Sequence, residues 1–285
     1  MIPVKNDRNE TWNSWLKSVE PLEIDTTALA FFNTYFNRLG KAQKSGDWQQ
    51  ANKSLKEINE YQQKWGKNVI PPATKVNIEV FYNKVEPFFF VMIAYTFLGI
   101  ILLILGFIQI LAHKPRWLNG IIKATLGITL LVFLIHAIGL SLRWYISGHA
   151  PWTNGYEAII FISWVSVLAG GLLYRNGNAL LPAAGCLVAV IMMGFAHGSS
   201  LLDPQITPLA PVLNSYWLII HVGIIASSYA FFGLGMMLSI FSLILYFFKP
   251  SKKIQHTIKE LTVVNEMSLT IGLFALTVGT FLGGM

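Results

Sequence analysis

Residues 87–112 read PFFFVMIAYTFLGIILLILGFIQILA, an unbroken run without one charged side chain. Crossing the hydrocarbon core of a bilayer as a helix takes about 20 apolar residues, so this run has the length and character of a membrane span. Five further uncharged stretches follow it, 124–142, 158–174, 178–202, 212–248 and 267–285. Lipid offers no partner to a backbone N–H or C=O, which leaves helices or closed barrels as the only spanning structures. The expected fold is therefore all-α and polytopic, with six transmembrane helices. The third stretch is short and Pro182 falls early in the fourth, so those boundaries are the least sharply marked. A chain that is 54% apolar and 12% charged has the composition this fold requires.

Residues 1–85 differ. Twelve of the 21 Lys/Arg and ten of the 14 Asp/Glu precede residue 87, which marks an extramembrane helical segment at 1–85 and a transmembrane domain at 86–285. Two amphipathic helices flank the break Lys44-Ser45-Gly46-Asp47. In the second, Trp48, Ala51, Leu55, Ile58, Tyr61 and Trp65 recur at helical spacing, and Asp47 with Gln50 has the form of a capping box. Pro71-Pro72 ends the pair, since neither residue can donate a helical hydrogen bond.

The loops set an orientation. Lys114, Arg116, Lys123, Arg175, Lys249, Lys252, Lys253 and Lys259 fall on one side, and Arg143 alone on the other. The positive-inside bias puts the first set in the cytoplasm. Residues 1–85 and the C-terminal end then face the periplasm or an equivalent outer compartment, with the spans in the inner (cytoplasmic) membrane. The start Met1-Ile2-Pro3-Val4-Lys5-Asn6-Asp7 has no apolar region of a signal peptide, so the chain reads as a piece of a longer protein.

Several chemistries are not encoded. After residue 87 only nine basic residues remain, with no dense basic face for nucleic acid. Cys186 is the single cysteine, which excludes a disulfide framework, a CxxC redox pair and a CxxCH haem attachment site. No Gly-rich phosphate loop or zinc spacing occurs, and no nucleophile is visible.

The two outer loops are poor in charge and rich in aromatic residues and proline. The first contains Gly148-His149-Ala150-Pro151-Trp152-Thr153-Asn154-Gly155-Tyr156-Glu157, with Ser163-Trp164 beyond it. The second runs from Gly198 through Asp203-Pro204, Pro208 and Pro211 into Asn214-Ser215-Tyr216-Trp217-Leu218-Ile219-Ile220-His221-Val222, followed by Ser228-Tyr229. These motifs resemble those of the CcsA/ResC family of system II cytochrome c assembly proteins, over roughly residues 75–285. Leu273 to Gly284 resembles the helix that leads into that family's Trp-rich WWD segment. Residues 1–85 look similar to the end of the ResB-like half found in fused members.

The resemblance implies cytochrome c biogenesis: haem b is bound at the outer face and presented for covalent attachment to the CxxCH motif of apocytochrome c. This chain would then form part of a cytochrome c synthase system. Implied partners are apocytochrome c, a ResB/CcsB-like half, thiol-reducing assembly proteins and the lipid bilayer. His221 matches the external histidine that precedes the WWD segment, a haem-iron ligand in the family. Trp217, Tyr216, Trp152, Asn154 and Tyr156 are expected around it. The chain ends at Met285, where the WWD segment would begin, so the second external histidine is expected beyond it.

Neutral imidazole is an ordinary axial ligand for haem iron, and His221 lies about one turn inside the outer end of its span. An interfacial anchor is the plain alternative for such a residue. His136, mid-span, matches no family motif and reads as an interhelical hydrogen-bonding group. His149 and His197 are candidates for structural or transient haem contact, and His113 and His256 for solvated loop positions. Glu157 suits a helix cap or a salt bridge to Arg143. Gly170, Gly171, Gly185, Gly233 and Gly235 are candidates for close helix packing. Two other functions compete, a secondary transporter and a structural assembly subunit without cofactor. A transporter places paired charges or broken helices at the midplane, where only His136 is found.

Overall fold

The computed structural model describes residues 1–5, 7–8, 10–14, 26–111, 117–174, 177–207, 209 and 215–284. His113, Lys114, Arg116, Arg175, Pro208, Pro211, Asn214 and Met285 lie outside that set. The chain divides into two compact units, Met1–Asn77 and Ile78–Met285.

In the first unit a two-residue antiparallel bridge, β1 (Ile2–Pro3) with β2 (Trp12–Asn13), precedes helices α1 (Thr26–Ser45) and α2 (Gln49–Trp65). The two helices form a hairpin that turns at Gly46, whose φ of 75° suits glycine. Ala28, Ala42 and Ala51 are buried between them, the Phe31 and Tyr61 rings meet at 5.0 Å, and Arg38 donates to Ser54 Oγ at 2.8 Å. Two features of this hairpin depart from a fully buried apolar stripe and a capping box. Trp48 and Leu55 are about half-exposed, because contact with a single partner helix covers only a narrow stripe. Asp47 Oδ1 accepts from the Gln49 amide at 3.0 Å, one residue earlier than a capping box places it.

A third helix, α3 (Ala73–Val85), crosses the division between the units. It stops at Glu86, where φ is +45° and the next residue is Pro87; a proline bars the preceding residue from continuing a helix. The six apolar helices follow: α4 (Pro87–Leu111), α5 (Leu118–Ser147), α6 (Gly155–Leu172), α7 (Leu180–Gly198), α8 (Tyr216–Tyr246) and α9 (Lys252–Gly283). Each is long and apolar enough to cross a membrane. The protein is an all-α, multi-pass membrane protein.

The α7 helix lies at the centre, against α4, α6 and α8, while α9 packs mainly on α8 and α5 on α4. Small residues permit the α6–α7 crossing. A Cβ on Gly185 would sit 2.6 Å from the Ser166 carbonyl oxygen, and one on Gly170 would sit 3.1 Å from Gly185 Cα. Gly233 and Gly235 are likewise in tight contact, with Val188 and Asn265, but Gly171 has open space around it and makes no such approach.

Thr125, Thr129, Ser163 and Ser166 all donate to the carbonyl four residues back in their own helices, while Ser268 on α9 donates across to the Phe231 carbonyl on α8 at 2.8 Å; an apolar surrounding demands such partners. The α9 helix begins at Lys252, well before residue 267. Lys252, Lys253, Lys259, Glu260 and Glu266 mark where the apolar surface ends, not where the helix does.

Gly185→Ala is expected to lower stability by about 1–3 kcal/mol, the usual cost of overpacking, read as a fall in Tm in detergent. Gly171→Ala should leave Tm unchanged.

Candidate functional site

The turn from α5 into α6 is the meeting point of the two aromatic loops. Gly148, with φ +78°, terminates α5 through its N–H bond to the Trp144 carbonyl at 2.8 Å. Asn154 starts α6, its Oδ1 accepting from the Glu157 amide at 2.8 Å. Between them Arg143 and Glu157 form an ion pair, Nε to Oε1 at 2.8 Å, with side chains 1% and 0% exposed. Thr153 donates to Glu157 Oε2 from both its amide, at 3.1 Å, and its hydroxyl, at 3.0 Å. The two Arg143 terminal nitrogens donate to the carbonyls of Pro204 and Gln205 at 2.9 and 3.0 Å. One buried guanidinium therefore ties the second loop to the first.

His149 reinforces that tie. It is buried, with Nε2 3.1 Å from the Thr207 carbonyl and Nδ1 2.9 Å from the Thr153 hydroxyl. Both ring nitrogens are thus engaged, and the geometry supports the structural role.

Trp152 turns toward α8. Its Nε1 donates to the Ile219 carbonyl at 2.9 Å, and its ring lies over Gly223, where a Cβ would be 3.2 Å from Nε1. Trp144 and Phe161 flank the ring at 5.9 and 4.8 Å, and Phe161, Trp164 and Phe133 continue the aromatic row.

Between the two Trp152 contacts in sequence stands His221, partly buried, just over one turn into α8. Its Nδ1 lies 2.6 Å from the Gly279 carbonyl on α9. A carbonyl only accepts, so Nδ1 is the donor, and in the neutral ring the lone pair is then on Nε2. Gly283 lies against the same ring, where a Cβ would come within 2.6 Å of Nδ1 and 2.9 Å of Nε2.

The other predicted residues fall into distinct places. Tyr216 and Trp217 are on the first turn of α8, just before His221, 74% and 55% exposed, with rings 6.2 Å apart. Asn154 is committed to the α6 cap. Tyr156 is buried and faces a different cavity, alongside Arg143 and His197. His197 Nδ1 meets the Met193 carbonyl at 2.9 Å.

His136 is fully buried, 3.5 Å through Nδ1 from the Tyr95 hydroxyl on α4, the expected interhelical contact. Gly279 and Gly283 were not singled out by sequence reasoning. The only signal available was their spacing on the last helix.

A family model described as cytochrome C assembly protein matches residues 152–285, the stretch that carries Trp152, His221, Gly279 and Gly283. Residues 152–285 belong to the cytochrome c assembly family. Among the chain's relatives is Protein NrfI of Wolinella succinogenes, 34% identical over 298 residues, covering 100% of this chain and 31% of NrfI. The cytochrome c biogenesis protein CcsA of Porphyra purpurea is 35% identical over 133 residues, 46% of this chain and 41% of that protein. CcsA of Chlamydomonas reinhardtii is 34% identical over 179 residues, 60% and 48% respectively. The chain thus spans about a third of NrfI and about half or less of these CcsA relatives.

Arg143→Met leaves a carboxylate buried without its cation, an expected loss of about 3–5 kcal/mol, with faster proteolysis in the 199–207 loop. Pairing it with Glu157→Leu should recover part of the lost Tm.

Proposed function

We propose that this cytochrome c assembly chain holds haem b, as substrate, at the Trp152–His221 end of the bundle and presents it for attachment to apocytochrome c. The observation that carries the reading is the 2.6 Å contact between His221 Nδ1 and the Gly279 carbonyl. Histidines that ligate metals nearly always donate their other N–H to such an acceptor, which fixes the ring and raises the basicity of the free nitrogen. The contact favours the neutral tautomer whose Nε2 is left to ligate iron. The glycine at 283 keeps the approach to the ring clear of a side chain, and exposed Tyr216 and Trp217 offer aromatic surface on the preceding turn.

In this reading the protein positions and the substrates react. A cysteine S–H of the apocytochrome adds across a haem vinyl group, sulfur to one carbon and hydrogen to the other, so no electrons are gained or lost. The chain supplies an axial imidazole and an aromatic surface, without a nucleophile of its own. Similarity to NrfI runs over the whole chain, including the first unit, which favours a fused arrangement with a ResB/CcsB-like half. Thiol-reducing assembly proteins would keep the incoming cysteines reactive. The single buried Arg143 at this end, against Lys249, Lys252, Lys253 and Lys259 at the other, supports an outward-facing site in the cytoplasmic membrane.

In the full-length protein, His221→Ala is expected to lower haem occupancy by about tenfold or more, read from reduced-minus-oxidised spectra, with partial recovery in added imidazole. Gly283→Val should also lose haem, because its side chain takes the space of the ring, whereas His136→Ala should retain it. Wild-type spectra for both His221→Ala and Gly283→Val would remove haem from this end of the bundle.

Orientation is tested by thiol labelling, since Cys186 is buried and gives no background. A cysteine at exposed Asn52 should react with an impermeant reagent added outside intact cells, and one at exposed Gln255 only after permeabilisation.

A further inference from the structure

At the same end of the bundle, away from His221, lies a cavity of about 500 Å³, within the range of about 300–1,000 Å³ usual for organic ligands. Its lining comes from α3, the start of α4, the ends of α5 and α7, the start of α6 and residues 204–206, with none from α8 or α9. Nothing in the haem reading uses it.

Three charged residues line it: Glu79, Glu86 and Arg143. Arg143 is neutralised by Glu157, and its remaining nitrogens are held by the Pro204 and Gln205 carbonyls. Glu79 and Glu86 make no ion pair among the described residues. They stand two helical turns apart, on one face of α3 and its end. The cavity therefore carries two uncompensated carboxylates and no cation free to meet an anion. Haem propionates, phosphates and other anions are disfavoured there.

The walls are aromatic. Phe89 and Tyr156 each lie 6.0 Å from the His197 ring, and Tyr82 meets Phe88 edge-on at 6.2 Å. Ring faces attract cations through their quadrupole, and Tyr156 already does so, with the Arg143 guanidinium 5.3 Å from its centroid. Aromatic walls beneath two carboxylates suit a group with a positive head and an apolar stem. The volume exceeds the needs of a bare ammonium ion, while Phe88 and Ile206 give an alkyl stem a surface to lie on.

We propose that this cavity receives the ammonium or guanidinium end of a lysine or arginine side chain of a polypeptide that docks on this face of the protein.

The test is calorimetric titration of the protein in phosphatidylcholine nanodiscs with a blocked Gly-Lys-Gly peptide, its norleucine analogue, and methylammonium. The lysine peptide is expected to bind about tenfold or more tightly than the norleucine peptide, the difference made by a charge-assisted contact, and to weaken as salt rises. Glu79→Gln with Glu86→Gln should weaken lysine-peptide binding by a similar factor while leaving Tm and the haem spectrum unchanged. Phe89→Ala should weaken it without altering its salt dependence. Equal binding of the lysine and norleucine peptides, or unchanged binding in the double glutamine variant, overturns the proposal. Methylammonium binding as tightly as the lysine peptide assigns the cavity to a free amine and overturns the polypeptide occupant.

Discussion

The ion pair between Arg143 and Glu157 organises the end of the bundle on which the candidate site stands. Burying either charge alone in this setting is strongly unfavourable. The pair is tolerated because all three guanidinium nitrogens and both carboxylate oxygens are hydrogen-bonded: Thr153 on the carboxylate, two loop carbonyls on the guanidinium, and the two partners to each other. Its consequences spread through covalent neighbours. Glu157 lies three residues past the Asn154 cap, so the pair fixes the start of α6. Arg143 reaches Pro204 and Gln205, so it also fixes the loop after α7. His149, between the two partners in sequence, then meets Thr207.

From that anchor the geometry passes to His221 by a short route. Trp152 is held between the α5 and α6 ends, and its indole N–H reaches the Ile219 carbonyl while its ring covers Gly223. These contacts grip α8 on either side of His221 in sequence, and α9 completes the arrangement with the Gly279 carbonyl. A histidine on a free helix end samples several rotamers and both tautomers. Here one proton position and one ring placement are selected before any ligand arrives, which lowers the ordering cost of binding.

The same end holds two chemically opposite surfaces. Around His221 the available features are a lone pair, exposed aromatic rings and a glycine clearance, suited to a flat apolar ligand. In the neighbouring cavity they are two carboxylates over aromatic walls, suited to a cation. Tyr156 and Trp152, four residues apart across the start of α6, face these different surfaces, and the division between them runs along that helix.

Hydropathy alone made the six spans legible, because lipid imposes one rule on backbone polar groups and that rule acts locally. It did not show where α9 begins, since charge reports the edge of the apolar region and a helix runs past that edge. It also placed Gly171 among the packing glycines, although that residue faces open space; sequence spacing shows which residues share a helix face, not which face meets a neighbour. His221 could be named from the motif around it, and the Arg143–Glu157 pair from the rarity of charge in and beside the aromatic loops. Asn154 and Tyr156 belong to the same motif as Trp152, yet one caps a helix and the other lines a separate cavity. What the sequence determined by itself was the number of spans, the family and the candidate ligand. Only the tertiary structure decided that His221 is protonated at Nδ1 against Gly279 and that Glu79 and Glu86 share a cavity with Tyr156. Those relations join residues far apart in the chain, and such contacts are set by how helices pack, which no local pattern of apolar residues encodes.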